Sequence, residues 1–392
     1  MSSLHIEWSV LSCSIGERQA LIDVCSISSR PKRGGENLKN IAVDIGKKKC
    51  AVCITDEYGT ILEETIFENT LKAASLFAEE VLQRYQKCQA VCESTGNLWI
   101  KIHDTFERYG IAVKLANPLK TRAIAEATVK TDKLDARTLA HLLRSGMVSE
   151  CYIASVHIRS NRLLLRHRTS LVQDRTRVVN RIHSLLDKYD LQYEGGRIFN
   201  LRGMSWLKNQ NLGDANDYTM LQQCTRNIEY INNEIHAIEK KIAQEAAKNE
   251  SVRILMSMTG VDYFAAMLIS SEIGDIARFA TPRKLVSWSG LCPTVHQSGD
   301  SLYHGRMKKD ANKRVKWVMI QAANVAVRCD ERMKSFYVRI CKRHGHAVAL
   351  THVANKMMTI MWHMLTTKTQ YMQQNTKLYQ KKLKKIDRIS SH

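Results

Sequence analysis

The sequence predicts an α/β domain followed by a helical middle of coiled-coil character and a mostly helical C-terminal region. Three observations carry that expectation. Between Asn40 and Ile153, short apolar runs alternate with stretches of helical spacing, the order of strands separated by helices. From Leu221 to Ile242, apolar residues recur at three-four spacing without a break. Beyond Ser251, apolar helical segments are punctuated by glycine rather than by strands.

In order along the chain, residues 1–36 resemble nothing downstream and end in RPKRGGE, so they read as a leader closed by a linker. NIAVDIG is an apolar strand ending in Asp44. KKCAVCITDEYGTILEETIF reads as two strands around a turn at Glu57-Tyr58-Gly59. Residues 71–86 place Leu71, Ala74, Phe77, Ala78, Val81 and Leu82 on one helical face. QAVCEST is a strand ending in Glu93, GIAVKLANP one ending at Pro118, and residues 120–145 form a long helical stretch.

Residues 156–190 carry Leu164, Leu171, Val178, Ile182, Leu185 and Tyr189 at compatible helical spacings. Their other faces hold Arg159, Arg162, Arg166, Arg168, Arg175, Arg177 and Arg181, which read as a nucleic-acid track or as a solvated helix face. In residues 217–250, Leu221, Cys224, Ile228, Ile231, Ile235, Ile238 and Ile242 form a seam fit for a coiled coil or a long helical hairpin. LMSMTGVDYFAAMLISSEIGDI turns at Gly260 between two helical segments, a shape compatible with a helix–hairpin–helix gripping a phosphate backbone. A loop with Gly290, Pro293, Gly299 and Gly305 precedes a basic helix from Lys308, and the tail KKLKKIDR reads as a frayed, solvated charge run. The divisions are therefore 1–36, 37–153, 154–250, 251–370 and a basic tail at 371–392.

Charge narrows the partner. Lysine and arginine number 59 against 38 acids, a formal net charge of +21. Such an excess favours a polyanion, because each neutralised phosphate releases condensed counterions. A membrane surface would serve equally on charge alone, but no spanning or export segment is legible. His5, Glu7 and Glu17 interrupt the start, and His352, Asn355, Lys356 and His363 interrupt the apolar C-terminal region. The reading is cytoplasmic and, in a prokaryote, nucleoid-associated. The eleven cysteines are scattered and odd in number, against a disulfide framework. Cys50 with Cys53, and Cys88 with Cys92, sit in strand-like runs and read as buried small hydrophobes rather than a zinc knuckle.

The acids have a pattern of their own. Asp44 and Glu93 each close an apolar strand, and Asp132 and Asp135 in KTDKLDAR lie three apart, on one face of a helix. Acids closing adjacent strands project toward the sheet end where ligands of open α/β folds gather. Four carboxylates converging there need a cation, and the hard ions Mg²⁺ or Mn²⁺ suit oxygen ligands and can clamp both oxygens of a phosphodiester exchange. Lys130 and Arg137 flank the helical pair, in reach of a scissile phosphate. The run VDIG also opens the ATP-binding folds of sugar kinases and actin-like proteins, but the second glycine-rich phosphate loop those need is missing between residues 90 and 150.

Taken together, VDIGKKK, VCESTGNLW, LANPLKTRAIAEATVKTDKLDARTLAHLL, EIGDIARFATPRKLVSWSGLCP, QSGDSLYHGRMKKDANKRVKWVMIQAA and AVALTHVANKMMTIMWHML resemble the transposases of the insertion sequence 110 family. The resemblance covers roughly residues 40–150 and 250–370. It implies a RuvC-like domain of the RNase H fold with Asp44, Glu93, Asp132 and Asp135 as the acidic tetrad. It also implies a C-terminal transposase domain whose nucleophilic serine matches Ser298, in HQSGD; Ser287, Ser289 and Ser301 compete for that role. A serine hydroxyl needs activation to attack, and the metal–carboxylate cluster would supply it. Two departures stand out: Gln297 where relatives often have a second serine, and Ala311-Asn312 where Gly-Asn is usual. Some members are guided by a structured RNA, and the family assembles as a tetramer on two duplexes, which implies an RNA partner and a homotetramer or homodimer.

The expected function is thus a transposase or site-specific recombinase that acts on element ends and target DNA. Asp44, Glu93, Asp132 and Asp135 would bind Mg²⁺ or Mn²⁺, and Ser298 would attack. Arg306, Lys308, Lys309, Lys313 and Arg314 would hold phosphates, with Lys130, Arg137, Arg159, Arg162, Arg166 and Arg175 as further nucleic-acid contacts. A Holliday-junction endonuclease using only carboxylates and water is the first alternative. A non-catalytic nucleic-acid-binding remnant is the second.

Overall fold

A computed structural model describes residues 38–124, 132–298 and 301–391. The expectation for residues 1–36 therefore falls outside the described residues. The chain divides after Ile153 into two compact units.

The first unit is built on a five-stranded mixed sheet of β1 (Lys39–Ile45), β2 (Lys49–Thr55), β3 (Ile61–Glu68), β4 (Cys88–Glu93) and β5 (Ala112–Ala116). Its order is β3-β2-β1-β4-β5. The first three strands are antiparallel neighbours, whereas β4 runs parallel to β1 and β5 parallel to β4. That is the strand arrangement of the RNase H fold expected from the resemblance.

Alternation decides what each face carries. Ile41, Val43 and Ile45 point with Val52, Ala90 and Leu115 into a core closed by α1 (Leu71–Tyr85) and α2 (Leu98–Arg108), through Phe77, Ala78, Ile102 and Phe106. Ala42, Cys53, Val91 and Ala116 point to the other face and meet Ala136, Leu139, Ala140 and Leu143 of α4 (Asp132–Arg144). Leu71, expected on the buried face of α1, is instead 58% exposed, as the first residue of the helix that Thr70 caps. The long helix expected over 120–145 is two described helices, α3 (Pro118–Ile124) and α4, with 125–131 outside the described residues.

Cys50 and Cys53 are three apart on a strand, so their thiols face opposite sides of the sheet and cannot share an ion. Burial pushes the Cys50 thiol up to about 11 and that of Cys92 to about 12, which keeps both protonated.

The second unit opens with α5 (Val156–Lys188), followed by the short α6 (Leu201–Lys208) and the long α7 (Ala215–Lys248). The isoleucine seam folds back within the chain. Leu221, Cys224 and Ile228 pack on Val178, Ile182 and Leu185 at one end, while Ile238 and Ile242 share a core with Leu165 at the other. α5 and α7 are thus an antiparallel hairpin.

The rest is helical: α8 (Glu250–Met256), α9 (Tyr263–Ile273), α10 (Pro282–Ser289), α11 (Lys313–Cys329), α12 (Glu331–His344), α13 (His346–Thr367) and α14 (Thr376–Ser391). A two-stranded hairpin, β6 (Pro293–Ser298) and β7 (Ser301–Met307), interrupts it. Among the described residues, no helix is long and apolar enough to cross a membrane.

Sequence expectations change here: the loop expected around Pro293 and Gly305 holds the β6–β7 hairpin, and the basic helix expected from Lys308 begins at Lys313. The turn at Gly260 packs one side against α11. A Cβ built on Gly260 (φ +89°) would lie 2.3 Å from the Ala322 carbonyl oxygen of α11, and nearly all of α9 is buried. Gly260→Ala is therefore expected to cost roughly 2–4 kcal/mol, through overpacking and a positive φ together, read as a lowered thermal midpoint. The tail is not a frayed charge run either. Tyr379 and Ile386, with Leu383 and Ile389 beside them, dock α14 on the core at helical spacing. Lys382 donates to the carbonyls of Met256 and Met258 at 2.7 and 2.8 Å, capping the end of α8, and burial lowers its ammonium to about 8.

Candidate active site

Asp44 and Glu93 directly follow Val43 and Cys92, the last residues in register between the parallel strands β1 and β4. Their backbones are thus neighbours at about the 4.8 Å strand spacing. Each acid stands two residues past Ala42 or Val91, so each projects to the face that α4 covers. Both are half-buried. The chain then turns sharply at Gly46, where a Cβ would come within 2.6 Å of the Lys49 carbonyl oxygen. The side-chain amide of Asn69 donates to the Gly46 carbonyl at 2.7 Å, and Lys101 donates to the Asn69 carbonyl, so the loop after Asp44 is held from two helix starts.

The direction of α4 follows from two contacts. Arg137 pairs with Glu64 of β3, which lies opposite Cys53 and so level with Ala42. Arg144 lies against Gly59, in the turn beyond the start of β1. The helix therefore runs against β1, and its first turn, bearing Asp132 and Asp135, points to the strand end that carries Asp44 and Glu93. Asp135 is half-buried, one residue before Ala136 of the sheet-facing stripe. The side chain of Asp132 lies outside the described residues.

An all-carboxylate donor set at the C-terminal end of parallel strands is the chemistry a hard divalent ion requires, and like charges at strand spacing repel without one. In kind, these residues suit a hard divalent ion. Among the described residues, no three His, Cys, Asp or Glu side chains close on one point, a set that excludes the Asp132 carboxylate.

Arg137 has a use that sequence reasoning missed. Its Nε and Nη2 grip the two oxygens of Glu64, the second at 2.8 Å, and this bond holds its guanidinium above the ordinary arginine value. The signal was present in β3 as ILEETIFE, a strand with three acids. Lys130 lies outside the described residues.

In the second unit, Ser298 ends β6, opposite Ser301, at the tip of the β6–β7 hairpin, and its side chain is not among those described. Of its competitors, Ser289 is fully buried and donates to the Val286 carbonyl at 2.8 Å, which removes it as a nucleophile. Arg306, Lys309, Lys313 and Arg314 are exposed and Lys308 half-buried, along β7, the following loop and the first turn of α11. Asn312 caps that helix, accepting from the Arg314 and Val315 amides, and donates to Glu272 Oε2 at 2.9 Å. Ala311, where the resemblance leads one to expect glycine, lies against Gly290.

The arginines of α5 have intrachain acceptors. Arg162 donates to the carbonyls of Ser271 and Glu272 at 2.8 and 3.0 Å. Arg166 grips Glu272 Oε1 at 2.8 and 3.1 Å, Arg168 binds Glu239, and Arg175 donates to Asn232 at 2.7 Å. Arg159 stands half-buried in the first turn. Much of this arginine row therefore fastens α5 to α7 and α9. The organising acid, Glu272, was visible as one carboxylate in the apolar run FAAMLISSEI.

The strand order, with acids ending its two central parallel strands, defines a protein of the RNase H fold. A transposase family model matches residues 41–190, and the model of the IS116/IS110/IS902 family of transposases matches residues 252–338, together more than half of the chain. The chain belongs to the insertion sequence 110 family of transposases, enzymes that cut DNA and transfer its strands. It is 26% identical over 355 residues to the transposase for insertion sequence element IS1111A of Coxiella burnetii, across 88% of this chain and 94% of that one. To the transposase for IS1328 of Yersinia enterocolitica it is 21% identical, across 85% and 98%. Among solved structures, T. thermophilus RuvC in complex with a Holliday junction substrate aligns with 29% of this chain and 99% of that chain, at 12% identity and a TM-score of 0.24.

Proposed function

We propose that this transposase cuts and rejoins the DNA of its element's ends and target at a centre formed by Asp44, Glu93, Asp132 and Asp135, with Ser298 as the attacking nucleophile. The observation that carries the reading is the convergence of Asp44, Glu93 and the first turn of α4 on one end and one face of the sheet. Mg²⁺ or Mn²⁺ held there would supply charge neutralisation at the phosphodiester and at the attacking oxygen. The carboxylates orient and bind; Arg306, Lys308, Lys309, Lys313 and Arg314, which form no ion pair among the described residues, hold backbone phosphates. Ser298 gives its hydroxyl proton to a base, its oxygen bonds to phosphorus, and the 3′- or 5′-oxygen of the cut strand leaves. The phosphoserine so formed conserves the bond for rejoining, when that oxygen returns and the serine is released.

A structured guide RNA and a homotetramer or homodimer complete the proposal, with base pairing choosing the sequence while protein holds backbone. The arginines of α5 contribute through whatever N–H groups their intrachain acceptors leave. The localisation that goes with it is the cytoplasm, at the nucleoid.

The test is a covalent-adduct assay on labelled element-end DNA with Mg²⁺. Wild type is expected to leave a protein–DNA band, and Ser298→Ala none. A band of full strength in Ser298→Ala would transfer the role to another nucleophile. Cutting without any band in wild type would favour water attack, as in the junction endonuclease. Chelation by EDTA is expected to stop cutting altogether.

A further inference from the structure

Helix α11 has an outer face of which the proposed chemistry uses only Arg314. Val315, Val318, Met319, Ala322, Ala323 and Ala326 are buried, which fixes the helix rigidly in the core. Its outer face carries Arg314, Trp317, Gln321 and Arg328, and the whole helix contains no acid. Trp317 is 45% exposed, an unusual position for so large an apolar ring.

One turn beyond Trp317, about 6 Å along the axis, the same face forms one wall of a cavity of about 410 Å³. Gln321, Asn324 and Arg328 come from α11, Tyr337 from α12, and His346 and Leu350 from α13. The Tyr337 hydroxyl and His346 Nδ1 are 2.7 Å apart, and their rings stand nearly perpendicular at 5.8 Å. Arg328 Nε donates to the Asn324 carbonyl at 3.1 Å, and its guanidinium forms no ion pair among the described residues.

The lining matches one ligand chemistry. Two amides offer donors and acceptors together, as the edge of a nucleobase requires. Two rings and a leucine offer faces for a flat heterocycle, and a cation stands by for phosphate. An acid-free helix on a chain of net charge +21 favours a polyanion over a neutral or basic protein partner. A base inside a duplex stays in its stack and cannot enter a recess; an unstacked one can.

We propose that this cavity receives one unpaired nucleobase of a single-stranded segment, with Trp317 stacking on the adjacent base and Lys313, Arg314 and Arg328 on the phosphates. The inference rests on the reading of the chain as an enzyme acting on nucleic-acid strands, but not on the carboxylates or Ser298.

The full chain is titrated into oligonucleotides of one sequence carrying a central 2-aminopurine, as single-stranded DNA, as single-stranded RNA and as a fully paired DNA duplex. Trp317→Ala and Asn324→Ala are each expected to weaken single-strand binding about tenfold or more. Duplex binding should change less than about twofold. Trp317→Phe should keep part of the affinity and lose the indole quenching seen on adding single strand, while circular dichroism verifies that each variant is folded. A preference for DNA or for RNA supports the site and identifies its source. Single-strand affinity equal to wild type in both alanine variants overturns the proposal, as does an equal loss for the duplex. Strand cutting in the same preparations separates the two readings. A wild type that never cuts, with discrimination intact, refutes the catalytic centre alone; an active wild type with unaltered variants refutes this site alone.

Discussion

Asp44→Asn is expected to lower Mg²⁺-dependent strand cutting by roughly 10³-fold or more, with affinity for element-end DNA within about twofold of wild type. Asparagine matches aspartate in size and keeps an acceptor oxygen, so the turn at Gly46 and the packing of Ala42 on α4 have no reason to change. What disappears is one negative charge at the strand end shared with Glu93. Affinity for phosphate would persist because the cations proposed for it lie elsewhere in the sequence. Glu63→Gln is the matched control: Glu63 lies on edge strand β3 and pairs with Arg84 at the surface, an interaction worth about 1 kcal/mol or less. If Asp44→Asn cuts as well as Glu63→Gln, the carboxylate centre is wrong.

Glu272→Ala is expected to destabilise the second unit by roughly 3 kcal/mol, the usual cost of removing one partner from a buried ion pair. The residue is 5% exposed, accepts from Arg166 and Asn312, and has Arg162 fastened to its own carbonyl. Its loss strands the Asn312 amide and the Arg166 guanidinium, while Arg162 keeps its two backbone carbonyls. The thermal midpoint should fall by roughly 6–12 °C. Arg166→Ala should cost less, because that side chain is 41% exposed and water can replace it in part. Asn312 also caps α11, so the variant should weaken DNA binding through Lys313 and Arg314, which stand on the capped turn. A melting curve superimposable on wild type would show that Glu272 joins nothing.

The strands and their closing acids were legible because a strand between two packed faces reads as a continuous apolar run, and Asp44 and Glu93 end such runs abruptly. The seam of α7 was equally legible, since heptad spacing survives whatever it packs against. Its partner was not, because an apolar stripe specifies a complementary stripe and not the chain that bears it. The arginines of α5 show the converse difficulty. A guanidinium that binds phosphate and one that binds a buried glutamate are the same letter, and Glu272 lies more than a hundred residues away. The docking of α14 was hidden by its lysines, although Tyr379, Leu383 and Ile386 keep helical spacing among them.

What sequence alone determined was the class of domain, the strand-ending acids and the helical seam, all of them properties of neighbours along the chain. Tertiary structure decided the sheet order that sets Asp44 beside Glu93, the direction of α4, the closure of α7 on α5, and which cations are bound internally. Those depend on pairings between residues tens to hundreds of positions apart, where many partners satisfy the local pattern and only packing and charge neutralisation in three dimensions choose among them.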